Sequence, residues 1–179
     1  IEPDTGDMAC GESGKGRFPE PKAIFEFILS YMRENQKLSN QFKDISIIVT
    51  AGPTIEEIDP IRFVSNKSSG KQGFEITSEL TKRGAKVTLV SGPVSIPFPN
   101  CENIIKVNTA QEMLDNVTQQ LPADILICCA AVADWRLIPK TSSNNKIDTN
   151  NKIKKTKEKL LFETIKNPDI LETIAKSKL

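Results

Sequence analysis

Residues 50–73, TAGPTIEEIDPIRFVSNKSSGKQG, decide how the chain is interpreted. The apolar run at 45–50 before them is typical of a strand that is buried on both faces of a parallel sheet. Glycines and prolines then predict a loop that leads into a helix. Ligands of open α/β sheets bind outside the carboxyl ends of the strands. The polar donors of this loop, together with the helix N-terminus, therefore predict a site for a phosphate or carboxylate group.

Strands and helices alternate from residue 44 onward. We predict strands over 45–50, 86–91, 103–107, 124–129 and 160–163, and helices over 74–83, 109–120 and 167–178. Thr109 and Glu112 have the spacing of a capping box at the start of the second of these helices. Strands separated by helices of this length indicate an α/β fold with a mostly parallel sheet. No closing strand follows the last helix, so we expect the sheet to be incomplete at the C-terminus.

The first 43 residues have a different character. Residues 1–20 are rich in glycine and polar side chains and predict a loop, whereas 21–34 show the apolar spacing of a helix. A loop and one helix cannot bury a core by themselves. We therefore expect two parts, the tail and linker of another domain at 1–43 and an α/β domain at 44–179. An ordinary N-terminal extension is the alternative.

Composition excludes several classes of function. With 24 basic and 23 acidic residues among 179, the net charge of +1 indicates neither nucleic-acid nor membrane-surface binding. No apolar run approaches the roughly 20 residues of a membrane span. The absence of histidine excludes Ser-His triads and histidine-ligated metals. Four cysteines without CxxC spacing predict reduced thiols in the cytoplasm.

Common nucleotide motifs do not account for the loop. Gly52, Gly70 and Gly73 are too far apart for the dinucleotide fingerprint, and Gly70-Lys71 is not followed by the Ser or Thr of a P-loop. We expect Ser68, Ser69 and Gly70, with nearby backbone amides, to hold phosphate at the helix N-terminus. A solvated basic loop is the alternative.

Two further side chains of the loop suggest chemistry. Asn66 is either a turn-former or a neutral donor to a carbonyl or developing oxyanion. Arg62 either pairs with Glu56 or Glu57 or clamps a carboxylate or phosphate.

Candidate residues also follow the predicted strand at 124–129. The small Ala130 and Ala131 allow a ligand to approach the backbone. Asp134 can accept from a ligand amine or hydroxyl, hold a metal, or else cap a short turn. Residues 141–159, which we call the arm, lack apolar periodicity and contain a run of lysines. Such a run is either a solvated face or a flap that closes over a triphosphate. Cys10 is predicted to be a thiol on an exposed glycine loop.

Five separated motifs resemble one family. The segments TAGPTIEEIDPIRFVSNKSSGKQG, VTLVSGP, CAAVADWR, KIKK and KNPDIL, in that order, resemble the phosphopantothenoylcysteine synthetase (phosphopantothenate–cysteine ligase) family of coenzyme A biosynthesis. The resemblance covers about 44–179. PDTGDMACGESGKGRFPEP near the N-terminus resembles the last segment of phosphopantothenoylcysteine decarboxylase, a flavin enzyme fused ahead of the synthetase in most bacteria. The chain thus resembles an internal piece of a bifunctional bacterial protein.

The resemblance implies a Rossmann-like, three-layer fold and a homodimer whose sites are completed across the interface. The implied reaction joins 4′-phosphopantothenate to cysteine with CTP and Mg²⁺, through an acyl-cytidylate and release of pyrophosphate. FMN would serve only the decarboxylase core, which residues 1–43 do not include. The family also continues past the last helix with a strand and a lysine-containing segment, so we expect the synthetase domain to be truncated here.

The resemblance also assigns site residues. It gives catalytic roles to Asn66 and Lys152, and to Cys10 as a remnant of the decarboxylase. The expected substrate-binding residues are Gly52, Arg62, Ser68, Ser69 and Gly70, and the expected nucleotide-binding residues are Cys129, Ala130, Ala131, Asp134, Lys152 and Lys155. The distance from Asp134 to Lys152 along the chain is longer than usual for the family, which leaves Lys146 and Lys154 as alternatives to Lys152.

The sequence also leaves other functions open. The chain could be a non-catalytic fragment that only binds a nucleotide or phosphopantothenate, and ATP could replace CTP. A flavin- or NAD-binding Rossmann protein is a weaker alternative, because the fingerprint of that class is absent.

Overall fold

The computed structural model describes residues 2–7, 13–38, 40–143, 145–155 and 159–177. The chain forms two compact units, Ile1–Gln41 and Phe42–Leu179. None of the helices in the described ranges combines the length and the apolar character that crossing a membrane requires.

The first unit contains a hairpin and a helix. Strands β1 (Asp4–Asp7) and β2 (Ser13–Arg17) pair antiparallel, and α1 (Pro21–Leu38) follows. The prediction of a loop over 1–20 was wrong where this hairpin forms. Its strands are glycine-rich and polar, so they show none of the apolar alternation by which a strand is recognised. The helix begins at Pro21 as predicted and extends beyond the predicted end.

The second unit is built on a parallel sheet. Its strands are β3 (Ser46–Ala51), β6 (Lys86–Ser91), β7 (Asn103–Lys106) and β8 (Ile125–Cys128), in the order β7-β6-β3-β8. All of the pairings between them are parallel. This confirms the predicted α/β class and the parallel sheet.

Helices cover both faces of this sheet. The helices are α2 (Lys71–Lys82), α3 (Ala110–Gln119) and α4 (Ile170–Lys176). Ile47 and Val49 of β3 share one buried cluster with Phe74 of α2. Ile48, between them, belongs to a second cluster with residues of α3 and α4. Because successive strand side chains point to opposite faces, β3 contributes to both cores. The fold is therefore a three-layer, Rossmann-like arrangement.

The edge strand β8 corrects one prediction. The run DILICC suggested a fully buried strand, yet Ile125 is 40% exposed and Cys128 is exposed. Within the described residues β8 pairs with β3 alone. The composition of a strand predicts apolar faces, but it does not show whether another strand pairs with its outer edge.

Helix caps were predicted with mixed success. The Thr109 Oγ1 accepts from the Glu112 amide at 3.1 Å, as expected for a capping box. The Glu112 carboxylate accepts from Asn108, one residue earlier than in the standard box, at 2.7 Å. The predicted cap of α4 by Asn167 was wrong. Asp169 is the N-cap, and its Oδ1 accepts from the Glu172 amide at 2.8 Å.

Two antiparallel hairpins lie outside the parallel sheet. One is formed by β4 (Ile55–Asp59) and β5 (Arg62–Ser65), and the other by β9 (Trp135–Lys140) and β10 (Leu161–Lys166). β4 lies against β9. The first hairpin occupies part of the segment that we predicted as a loop, and β9 was not predicted. Pro60 and the paired acidic residues obscured the strand pattern of the first hairpin.

Candidate functional site

The segments that follow β3 and β8 run side by side beyond the sheet. The Ala131 amide donates to the Gly52 carbonyl at 2.8 Å, and the Thr54 amide donates to the Ala131 carbonyl at 3.2 Å. The Ala133 amide donates to the buried Thr54 Oγ1 at 2.8 Å. Parallel pairing therefore continues past both strands, and the backbone of 131–133 is held in place at the carboxyl edge.

Asn66, the residue after β5, connects the loop to the backbone of 131–132. Its Nδ2 lies 3.1 Å from the Ala131 carbonyl oxygen and 3.1 Å from the Val132 carbonyl oxygen, and donates to both. Both amide hydrogens are thereby used, because a carboxamide has only two. Asn66 orients the alanine segment in this arrangement. The predicted donation to a ligand carbonyl would require the ligand to replace one of these backbone acceptors.

The glycines of the loop are explained by close packing. Gly52 and Gly70 have φ angles of +72° and +74°, which favour glycine. A Cβ atom at Gly70 would lie 2.8 Å from Val94 Cγ1 and 3.4 Å from the Cα of Gly52. The residue before α2 thus packs directly on the segment after β3. Of the predicted substrate-binding residues, Gly52 and Gly70 come together for this reason.

Ser68 and Ser69 lie at the start of α2, which begins earlier than predicted. Ser68 Oγ accepts from the Gly70 amide and Ser69 Oγ accepts from the Lys71 amide, each at 3.4 Å. Accepting these bonds leaves the hydroxyl protons available for donation to a ligand. The first amides of a helix lack partners within the helix. The residues expected to hold an anion therefore lie where such amides are present.

A cleft of about 700 Å³ opens beside the alanine segment. Thr50, Cys128, Ala130, Asp134 and Trp135 line it, together with residues of 166–172. Cys129, which was assigned to nucleotide binding, donates its amide to the Thr50 carbonyl at 3.1 Å. Although Cys128 as a whole is exposed, partial desolvation of its thiol raises the pKa of that group, and a hydrogen bond with the Thr50 side chain offsets part of the increase.

Asn167 was not predicted to belong to this cleft. Its Nδ2 donates to the Ala133 carbonyl at 2.9 Å, and its backbone amide donates to the Asp134 carbonyl at 2.9 Å. It therefore holds the far end of the segment that Asn66 holds at the near end. In the sequence, only the KNPDIL motif drew attention to Asn167. The sequence predicts it to be a helix cap and not a residue of this cleft.

A second cleft of about 730 Å³ is strongly basic. Its lining includes Arg62, Lys152, Lys154, Lys155 and Lys159, with Asp148 as the acidic member. It shares no lining residue with the first cleft. The structure thus brings Arg62, Lys152 and Lys155 together, but not into the cleft that contains Asp134. Lys146 lines a different hollow, beside Glu56 and Arg136.

Arg62 pairs with Asp59 and not with Glu56 or Glu57, the two partners that the sequence suggested. The Nη1 to Oδ2 distance is 3.0 Å, and the Asp59 side chain is completely buried. Burial acts to raise the pKa of Asp59, but the Ile61 and Ile153 amides and Arg62 outweigh it, so that the pKa lies below its ordinary value of 3.8. Glu56 instead accepts from the Ala110 amide at the start of α3, at 3.0 Å.

The described residues contain no evident metal-binding cluster. Among the residues that the structure describes, no three His, Cys, Asp or Glu side chains form a potential metal-binding group. Asp134 therefore belongs to no group of three such side chains in those ranges. Cys10 lies outside the described residues.

Comparison with known proteins agrees with the sequence motifs. Residues 42–179 match the family model described as the DNA/pantothenate metabolism flavoprotein C-terminal domain. The chain is 41% identical over 179 residues to the "Coenzyme A biosynthesis bifunctional protein CoaBC" of Haemophilus influenzae, covering 99% of this chain and 42% of that protein. It is 41% identical over 180 residues to the protein of the same name from Escherichia coli K12, covering 98% of this chain and 41% of that protein. The chain thus spans about two fifths of the length of these relatives.

Solved structures share the fold. The C-terminal domain of a CoaBC protein superposes with a TM-score of 0.63 and 36% identity, over 78% of this chain and 62% of that chain. A Cab2 mutant in complex with phosphopantothenate-cysteine has a TM-score of 0.58 over 89% of this chain and 68% of that chain, at 16% identity, which establishes similarity of fold alone. From the family match and the parallel three-layer architecture, the chain belongs to the DNA/pantothenate metabolism flavoprotein C-terminal domain family.

Proposed function

We propose that this chain is the synthetase part of a bifunctional coenzyme A biosynthesis protein. In this proposal it joins 4′-phosphopantothenate to cysteine with CTP. The observation that carries the proposal is the 41% identity to a CoaBC protein over 99% of the chain. The fold that it shares with Cab2, whose solved complex contains phosphopantothenate-cysteine, adds support.

The first step would activate the carboxylate. A carboxylate oxygen of phosphopantothenate attacks the α-phosphorus of CTP, the bond to the β-phosphate breaks, and pyrophosphate leaves. Charge on the phosphates must be neutralised during such a transfer. Arg62, Lys152 and Lys155, which line the basic cleft, are suited to that task.

The second step would form the amide. The cysteine amine attacks the acyl carbon, the bond to the cytidylate oxygen breaks, CMP leaves, and the amine loses a proton. Asn66 and the Ala131–Val132 segment that it orients are our candidates for holding the acyl group. Gly52, Ser68, Ser69 and Gly70 would bind the substrate beside them, and Cys129, Ala130 and Asp134 would contact the nucleotide.

Magnesium would accompany the nucleotide. Mg²⁺ commonly keeps several waters and binds through substrate phosphates with one or two carboxylates. Asp134, Asp169 and Glu172 line the first cleft. Asp169 caps α4 and Glu172 pairs with Lys176, so we assign the ion to the exposed Asp134. The ion would supply charge neutralisation on the phosphates.

A homodimer forms part of the proposal. Ile61 and Phe63 on the β4–β5 hairpin are each 57% exposed, and Leu161 and Phe162 on β10 are 45% and 43% exposed. Exposed apolar groups of this kind on neighbouring elements favour an interface. A second copy covering the hairpins could also bring a basic cleft of one protomer to the site of the other.

Residues 1–43 would be the tail of a decarboxylase domain, with Cys10 as its proton donor. FMN would bind elsewhere in the parent protein, which we expect to be cytoplasmic. No step above depends on the flavin.

Pyrophosphate release tests the proposal. The chain, and in parallel a CoaBC protein such as that of Haemophilus influenzae, are mixed with phosphopantothenate, cysteine and either CTP or ATP in Mg²⁺. We expect release that requires phosphopantothenate and prefers CTP. Tight CTP binding without any pyrophosphate from this chain would instead favour the binding-only fragment. Failure of the chain to bind either nucleotide would contradict the proposal.

A further inference from the structure

Asp59 has a bonding pattern that the proposed reaction leaves unexplained. Its Oδ1 accepts from the amides of Ile61 and Arg62 at 3.0 and 2.9 Å. Its Oδ2 accepts from Arg62 Nη1 at 3.0 Å and from the Ile153 amide at 3.1 Å. A carboxylate without exposed surface requires compensation of this kind. Three of these bonds close the hairpin turn locally, but the fourth reaches 94 residues along the chain to the arm.

Ile153 is held through both of its backbone groups. Asp59 accepts from its amide, and Arg62 Nη1 donates to its carbonyl at 3.4 Å. Ile153 is 9% exposed, although its neighbours on both sides are exposed. This residue therefore attaches an otherwise polar segment to the tip of the β4–β5 hairpin.

The attachment point determines where two lysines lie. Lys152 and Lys154 flank Ile153, and both line the basic cleft together with Arg62. Lysine side chains lose considerable conformational freedom when they bind an anion. Because the backbone between the two lysines is already fixed, binding an anion costs less conformational entropy.

We propose that Asp59 is a positioning residue for polyphosphate binding, which acts by holding Ile153 and thereby placing Lys152 and Lys154 in the basic cleft. The inference rests on the proposed function only in taking CTP as the nucleotide. It gives a role to Asp59, which does not itself contact the anion. The competing explanation is that Asp59 only stabilises the hairpin turn.

The test uses the Asp59→Asn variant, which preserves the shape of the side chain and removes its charge. Inorganic tripolyphosphate is the probe, with its affinity measured by calorimetry, and exchange of the Ile153 amide proton is followed by NMR. We expect faster exchange at Ile153 and an increase of about tenfold in the Kd for tripolyphosphate. The matched control is Asp148→Asn, which removes an exposed carboxylate from the same cleft and should leave Ile153 exchange unchanged.

Two results with the Asp59→Asn variant would overturn the inference. One is unchanged exchange at Ile153 in a folded Asp59→Asn protein, and the other is an unchanged Kd for tripolyphosphate. Absence of tripolyphosphate binding to the wild-type chain would also overturn it.

A second variant guards against a failure of Asp59→Asn to fold. Ile153→Ala leaves Asp59 and the hairpin intact but removes the buried side chain of the arm, and we expect it also to weaken tripolyphosphate binding. Wild-type affinity in this variant would contradict a role for the attachment.

Turnover separates this inference from the proposed function. In an active protein, Asp59→Asn should raise the KM for CTP by about tenfold with a smaller change in kcat, whereas a purely structural defect would lower the amount of active protein and leave KM unchanged. If the wild-type protein releases no pyrophosphate from CTP, the proposed function fails. The tripolyphosphate and exchange measurements still decide the role of Asp59 in that case.

Discussion

Asn66 and Ala131, 65 residues apart in the chain, are joined by a hydrogen bond of 3.1 Å from the Asn66 side chain to the Ala131 carbonyl. The same amide group also donates to Val132. One side chain thereby connects the loop before α2 with the segment after β8, and the two halves of the candidate site depend on each other.

Replacing Asn66 with Asp tests this relationship. A carboxylate would face two carbonyl oxygens without a proton to donate, so we expect the Ala131–Val132 segment to shift. Under the proposed mechanism, amide formation slows by about 100-fold or more, and the acyl-cytidylate accumulates and is detected by mass spectrometry. Asn103→Asp, on the exposed start of β7, is the control. Full activity of Asn66→Asp would remove Asn66 from the mechanism.

Gly70→Ala should destabilise the second unit through two separate effects. The positive φ costs about 1–2 kcal/mol for a residue with a Cβ, and contact with Val94 adds an overpacking cost of about 1–3 kcal/mol. Denaturant unfolding of the single variants Gly70→Ala and Val94→Ala and of the double variant measures the coupling. We expect the double variant to be more stable than the sum of the single effects implies, and strict additivity would contradict the close contact.

CTP with Mg²⁺ should raise the Tm more than NAD or FMN does. At about 100 times Kd, a ligand that binds only the folded state contributes about 2.7 kcal/mol. For a chain of this size that corresponds to a Tm increase of about 5–10 °C. Lys152→Ala should reduce the increase, whereas Lys82→Ala, at the end of α2, should not. Equal increases with all three ligands would count against the nucleotide assignment.

The exposed hairpins should mediate self-association. Phe63→Ser removes a large apolar side chain from β5, so we expect the dimer to dissociate at concentrations where the wild-type protein remains associated. Sedimentation velocity over a concentration series measures the change. Phe25→Ser, at a comparably exposed position of 58% in the first unit, is the control. A wild-type chain that is monomeric at all concentrations would contradict the dimer.

Asp124 should make the stability of the sheet dependent on pH. Its Oδ2 accepts from the hydroxyl and amide of Ser46 at 2.6 and 2.8 Å, and these bonds hold the pKa of Asp124 below its ordinary value of 3.8. A lowered pKa in the folded state contributes stability above pH 3.8, and this contribution disappears as the pH falls through the folded-state pKa.

Thermal unfolding of Asp124→Asn at several pH values tests this sign. We expect its Tm to lie below that of the wild-type protein at about pH 6, and the difference to shrink at about pH 2.5. A constant difference for Asp124→Asn across this range would contradict the linkage.

Local patterns in the sequence were sufficient for much of the fold. The strand at 86–91 was predicted with its observed bounds, and the Thr109 cap was confirmed, because both depend on neighbouring residues. The β4–β5 hairpin and β9 were missed, since short strands with mixed polarity are stabilised mainly by their partners. The residue assignments of the candidate site remain predictions.

The sequence by itself determined the alternation of strands and helices, the parallel sheet and the family, because periodicity, caps and motifs are properties of short segments. Only the tertiary structure decided that Asp59 is the partner of Arg62 and Ile153, that Asn167 holds the Ala133–Asp134 backbone, and that Arg62 and Asp134 line different clefts. The physical reason is that a polar side chain buried or anchored in a loop bonds to whichever donor or acceptor packing brings near. That partner can lie 94 residues away in the chain, as Ile153 does from Asp59.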